Sequence, residues 1–293
     1  MVYEEIAANR RRSFVLIFLF VLFLLFLGWI FGEVYGAGQA GVLIALILAL
    51  FISLITFFYG DRMVLGISGA RPVDRRKNPY LANVVEGLAI AAGIPAPKAY
   101  IIEDSAPNAF ATGRKPDNSS IAVTTGLLEK LNRLELEGVI AHEMSHIKNF
   151  DIRYATLVAI LVGTVALLSD WMRRSFFYRG RRKKGGAGGG VIILIALVLA
   201  ILAPIVAQLI RFALSRQREY LADANGALLT RYPEGLASAL EKISKDTEPL
   251  EAANKATAHL YIVNPLLEHR GKLNTLFSTH PPAEERVRRL RSM

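Results

Sequence analysis

His142, Glu143 and His146 stand in the order His-Glu-x-x-His within Leu134–Phe150, a stretch whose apolar residues recur at helical spacing. Residues four apart on a helix share a face. Two imidazoles one turn apart can therefore hold a single zinc ion, and a carboxylate at Glu143 is close enough to take a proton from water activated there. That is the chemistry of hydrolysis by a general base beside a metal. The ordinary alternative is a pair of surface histidines on a solvated helix. The Glu at its fixed offset and the helical setting both speak against it.

A hydrolytic zinc site needs a third protein ligand and keeps a fourth position open. The chain contains no cysteine, so the third ligand is His, Glu or Asp. His259, His269 and Glu219 lie downstream. Glu219 belongs to Ser215–Asp223, again helical in pattern, which sets Glu219 and Asp223 on one face. One carboxylate of such a pair can reach the metal, while the other orients a ligand histidine through its second ring nitrogen. Alone, Glu-x-x-x-Asp is common on solvated helices, and its weight here comes from the histidine motif.

With these residues in view, the chain resembles the HtpX-type membrane zinc metalloproteases, gluzincins related to the type I CaaX prenyl proteases. The likeness rests on Ala141–His146, Arg218–Asp223, Pro107–Ala111, and Ser278–Pro282 with Arg286. It implies that His142, His146 and Glu219 bind one zinc ion per chain and that Glu143 is the base. It implies also that the Asn108-Ala109-Phe110 segment lies beside the active-site cleft. Related proteases carry a His at the position of His280 and an Arg six residues on, here Arg286. A cationic or hydrogen-bonding His280 can steady the oxyanion of a tetrahedral intermediate. His259 and His269 read as exposed and receive no role. The substrates implied by the resemblance are misfolded or damaged membrane proteins.

The 293 residues are 53% hydrophobic with a mean hydropathy of +0.34, too apolar for an ordinary soluble domain. A net charge of +10 in such a chain marks cytoplasmic faces rather than nucleic-acid binding. Without cysteine there are no disulfides and no thiolate metal sites.

Ser13–Gly32 and Val34–Gly60 are uncharged runs long enough to cross a bilayer as helices. The first is longer than the core of a cleaved signal peptide, and a second span follows at once, so it reads as an uncleaved anchor. Arg10, Arg11 and Arg12 precede the pair, and Arg62, Arg71, Arg75, Arg76 and Lys77 follow it. The positive-inside rule then puts both ends of this hairpin in the cytoplasm. Tyr154–Ser169 and Gly185–Ile210 are two further apolar runs, separated by seven basic residues between Arg173 and Lys184. His146 and Glu219 flank this second pair and must share a side, so it forms a hairpin embedded at least partly in the membrane. If both flanking helices run straight, each ligand stands about 12 Å from the membrane boundary.

Asn78–Ala92 has helical spacing and a Gly-Ile-Pro stop after it. Ala99–Ile102, Asn108–Thr112 and Ile121–Thr124 read as strands of a small antiparallel sheet, placed to pair with an extended peptide. Pro233–Asp246 is an amphipathic packing helix, and Leu250–Leu267 is ambiguous. The expected molecule is a mainly α membrane protein, with transmembrane helices and a zincin-like cytoplasmic metalloprotease domain. It divides into an N-terminal hairpin over 1–62 and a peptidase unit over 63–293, interrupted at 154–210. A CaaX-like processing protease and a non-enzymatic scaffold are the alternatives. The first has more spans than the four candidates here, and an intact Glu143 argues against the second.

Overall fold

A computed structural model describes residues 2–34, 36–180, 216–254, 256–263, 265 and 281–293. Helices α1 (Val2–Val34) and α2 (Gln39–Ile67) form the N-terminal hairpin. Their outward side chains, among them Phe14, Phe18, Leu43, Phe51 and Leu54, are exposed, which suits hydrocarbon and not water. The two helices touch at glycine. A Cβ on Gly41 would stand 2.6 Å from the carbonyl oxygen of Gly28, so only a residue without one lets the backbones approach this closely.

The peptidase unit is built around α5 (Arg133–Lys148), which carries the histidine motif. Its start is a capping box: Asn132 accepts from the Glu135 amide at 3.1 Å, and the Asn132 amide donates to Glu135 Oε2 at 2.8 Å. Helices α3 (Pro79–Ala92), α7 (Arg216–Thr230) and α8 (Pro233–Lys245) pack around α5. A short α4 (Thr125–Lys130) precedes it, and α9 (Ala283–Leu290) closes the other side. The shared core includes Leu81, Leu88, Leu136, Ile140, Met144, Leu236 and Leu240.

The sheet differs from the expected one. It has four strands in the order β1-β2-β4-β3: β1 (Arg71–Pro72), β2 (Lys98–Ile102), β3 (Ala109–Lys115) and β4 (Asn118–Thr124). Pairs β1–β2 and β3–β4 are antiparallel, but β2–β4 is parallel, so the sheet is mixed. The cause is the connection at 103–108, which carries the chain one place beyond its neighbour. The tight hairpin then returns β4 into the gap, running the same way as β2. The two-residue β1 lay below any periodicity signal.

Helix α6 (Asp151–Gly180) is separate from α5, so the condition of a straight helix from His146 into the apolar run is not met. Helix α5 ends at Lys148 and Phe150 takes a left-handed conformation (φ 60°), so the chain turns before α6 begins. Three described helices are long and apolar enough to cross a membrane: Ala7–Ile30, Gln39–Ile67 and Asp151–Leu168. Tyr154, Leu157, Val158 and Leu161 of α6 pack on Leu16, Phe20, Leu24 and Leu27 of α1. The run Gly185–Ile210, the second half of the expected membrane hairpin, lies outside the described residues.

Candidate metal centre

The histidine motif points one side of α5 at the start of α7. His142 Nε2 and His146 Nε2 lie 3.2 Å apart. Glu219 Oε1 is 3.5 Å from His146 Nε2, and Glu219 Oε2 is 3.7 Å from His142 Nε2. A tetrahedron with metal bonds of about 2.0–2.1 Å has edges of roughly 3.3 Å, so these separations suit one zinc ion held by three ligands. Close approach of the helices depends on Gly226, where a Cβ would stand 3.1 Å from the His142 backbone nitrogen.

The outer partners of the rings complete the argument. Asp223 Oδ1 is 2.9 Å from His142 Nδ1, and Asp151 Oδ2 is 3.0 Å from His146 Nδ1. Each carboxylate holds a proton on Nδ1, leaving Nε2 with its lone pair. Two lone pairs and a carboxylate then converge on one point, an arrangement of acceptors that a cation satisfies. The residues therefore fit zinc on the chemistry of the donor set. Among the described residues, this trio is the cluster able to hold a metal.

Charge around the trio is uneven. Burial, with the charges of Arg286 and His146, pushes His142 down to about 4 against the pull of Asp223. Burial works against a charged His146 too, but Asp151 and Glu219 outweigh it and push the metal-free ring up to about 9, so zinc must displace a proton to reach its Nε2 lone pair. Burial raises the Glu143 carboxyl to about 7, where it can both accept and release a proton near neutrality. Asp223 is held down at about 2 despite its burial, because Arg286 and His142 favour its charge. Arg286 is 1% exposed and grips Asp223 with two hydrogen bonds, Nε to Oδ2 at 2.9 Å and a terminal nitrogen to Oδ1 at 2.6 Å. It also donates to the Ile262 carbonyl at 3.0 Å.

A model of peptidase family M48 matches residues 75–293. The chain belongs to peptidase family M48. It is 51% identical over 291 residues to the "Protease HtpX homolog" of Dictyoglomus thermophilum, covering 99% of this chain and 94% of the relative. The homologue of Tropheryma whipplei is 46% identical over 293 residues, covering 100% and 99%. In fold, the chain is similar to the crystal structure of S. mikatae Ste24p. The TM-score is 0.50 at 20% identity, across 98% of this chain and 67% of that one. It is an M48 zinc metallopeptidase and a membrane protein.

Two ligand-supporting residues of this M48 peptidase escaped sequence reasoning. Asp151 is an acidic residue at the start of the next helix, and Asn9 is one polar residue before an apolar run, so neither carries a local motif. The available signal was an acid five residues past the second histidine, beyond a helix end. His259, expected on the surface, is buried at 5% exposure; its Nε2 lies 3.1 Å from the Ala155 carbonyl oxygen, and it lines the cavity at the metal trio. The loop folds inward there because Tyr261 stacks edge-on against Phe110, with ring centroids 5.0 Å apart.

Asn108, Ala109 and Phe110 are buried beside that cavity, committed to contacts within the chain. Asn108 Nδ2 donates to the Val263 carbonyl at 3.0 Å, and the Ala109 carbonyl accepts from Ile262 at 2.9 Å. Of the edge strand β3, Ala111 lines the cavity. His269 and His280 lie outside the described residues.

Proposed function

We propose that this M48 peptidase is an endopeptidase for misfolded or damaged membrane proteins, working at the cytoplasmic face, with Glu143 as its base. The observation that carries the reading is the position of the metal trio, with His146 five residues before the candidate span that opens at Asp151 and with Ala111 of the edge strand β3 lining the same cavity. Zinc, when bound by His142, His146 and Glu219, supplies Lewis acidity at the scissile carbonyl. Glu143 removes a proton from the attacking water and later delivers it to the leaving amine nitrogen. Its raised pKa suits both transfers. Asp223, braced by Arg286, holds the His142 tautomer. Asn108, Ala109 and Phe110 hold the edge strand, so that an extended substrate pairs alongside it near Ala111. His280 is assigned to the oxyanion on the family resemblance alone. The arginines at 10–12 and around 71–76 support a cytoplasmic face for the peptidase unit. We assign residues 1–62 to the membrane hairpin and 63–293 to the peptidase unit, interrupted by membrane segments at 154–210.

The test is zinc-loaded full-length enzyme in vesicles, offered an unfolded membrane protein and, separately, a prenylated CaaX peptide. Cleavage at many sites of the first, lost in Glu143→Gln, supports the reading. Single-site cleavage of the prenylated peptide alone would replace it with a processing protease.

A further inference from the structure

Asn9 lies on α1 in the first membrane-candidate helix, yet it is fully buried against the metal centre's supports. Its Nδ2 donates to Asp151 Oδ1 at 2.7 Å and to the Asn149 carbonyl at 3.1 Å. Its Oδ1 accepts from Arg218 and from Arg12, each at 3.2 Å. Both amide protons and both lone pairs of the carboxamide are therefore used. The residues it joins are the C-cap of α5, the first residue of α6, and the neighbour of Glu219 on α7.

We propose that Asn9 is a positioning residue of the metal centre, through which the N-terminal membrane helix sets the strength and aim of His146 as a ligand. The chemistry singles out an amide. Asp151 uses Oδ2 for His146 and Oδ1 for Asn9. An Arg218 nitrogen stands only 3.7 Å from the same Oδ1. Asn9 sits between this guanidinium and this carboxylate, accepting from one and donating to the other. Remove the amide, and Arg218 closes on Asp151 as a direct ion pair. The carboxylate then becomes a weaker acceptor for the His146 Nδ1 proton and is drawn off line, and the ring becomes a poorer donor to zinc. An aspartate at position 9 does worse, since it sets one carboxylate against another. Helix α1 thus contributes to zinc binding as well as to anchoring.

The test compares full-length protein in detergent, wild type against Asn9→Ala, Asn9→Asp and the exchange Asn9→Asp with Asp151→Asn. Leu16→Ala serves as the control, since Leu16 is buried on α1 against α6 and its apolar side chain makes no hydrogen bond to any of these groups. Zinc affinity, read by competition with a chelator, needs no substrate and stands apart from the proposed protein-degrading role. Asn9→Ala should bind zinc about 10–100-fold more weakly, as expected when a partner behind a metal ligand is lost. Its kcat at saturating zinc should fall with KM for a peptide unchanged. Asn9→Asp should be weaker still. The exchanged pair restores donor against acceptor between positions 9 and 151, though not the bond to the Asn149 carbonyl, and should bind zinc more tightly than Asn9→Asp alone. Wild-type affinity in Asn9→Ala overturns the proposal. So does an equal loss in Leu16→Ala, or a double exchange no better than Asn9→Asp alone, since either reduces Asn9 to helix packing.

Discussion

The two ligand histidines are braced alike from different parts of the molecule. Behind His142 stand Asp223 from α7 and Arg286 from α9, both sealed in the peptidase core. Behind His146 stand Asp151 at the start of α6 and Asn9 from α1, both on membrane-candidate helices. Each ring has a carboxylate on Nδ1 and a cationic group beyond it, Arg286 on one side and Arg218 on the other. The difference is in the coupling. The His142 side holds a buried guanidinium with a matched carboxylate, so its loss strikes the fold. The His146 side routes its charge pair through a neutral amide, so its loss should strike the metal first.

Changes at the shared ligand should be the most severe. Glu219→Ala removes what both histidines face, and two imidazoles alone make a weak site. Dialysed protein should then carry almost no zinc and no peptidase activity. Zinc retained at the wild-type level by mass spectrometry would move the third ligand elsewhere. Glu143→Gln touches neither brace. Turnover should fall by about 10²–10⁴-fold or more with zinc content unchanged, because an amide binds water but cannot take its proton. Substantial proteolysis by this variant would end its assignment as base.

The contrast between the braces is sharpest in Asp223→Ala against Asp151→Asn. The first leaves buried Arg286 only the longer 3.8 Å contact with Glu219 as an ion pair, a cost of up to about 3–5 kcal/mol, and should lower the melting temperature of metal-free protein as well as zinc affinity. The second keeps the shape but turns an amide nitrogen toward either the Asn9 amide or the His146 Nδ1 proton, and should weaken zinc binding by about 10–100-fold while lowering metal-free stability less than Asp223→Ala does. Equal melting shifts for the two would erase the distinction. Gly226→Ala should have the smallest effect. The added carbon needs only a few tenths of an ångström between α5 and α7, so a loss of zinc affinity below about 10-fold is expected. Complete loss would mean that the helix spacing tolerates no relaxation.

The His142 side could be read from the sequence because its parts are local and chemical. His142, Glu143 and His146 share one helix face, and Glu219 and Asp223 share another. Arg286 came only through the family resemblance, since nothing local links it to Asp223 across the intervening chain. The His146 side was hidden because Asp151 follows a left-handed turn that no periodicity marks, and Asn9 meets it only through tertiary packing. Two long apolar helices were evident from composition, whereas the parallel pairing of β2 with β4 depends on where a loop sets down the next strand. The burial of His259 follows from the stacking of Tyr261 on Phe110, again a contact between distant segments.

The turn at Phe150 has a consequence for which proteins can be cut. A left-handed, non-glycine residue costs roughly 1–2 kcal/mol, so the packing that enforces it leaves little play between α5 and α6. His146 thus stands at a fixed height, five residues short of the candidate span. Under the proposed function the enzyme has a short reach. A well-folded domain held off the bilayer on a stalk stays out of range whatever its sequence. A polypeptide that has slumped onto the lipid surface, or been left half-extracted from it, brings its backbone to the blade. Height, rather than side-chain recognition, would then separate sound membrane proteins from broken ones.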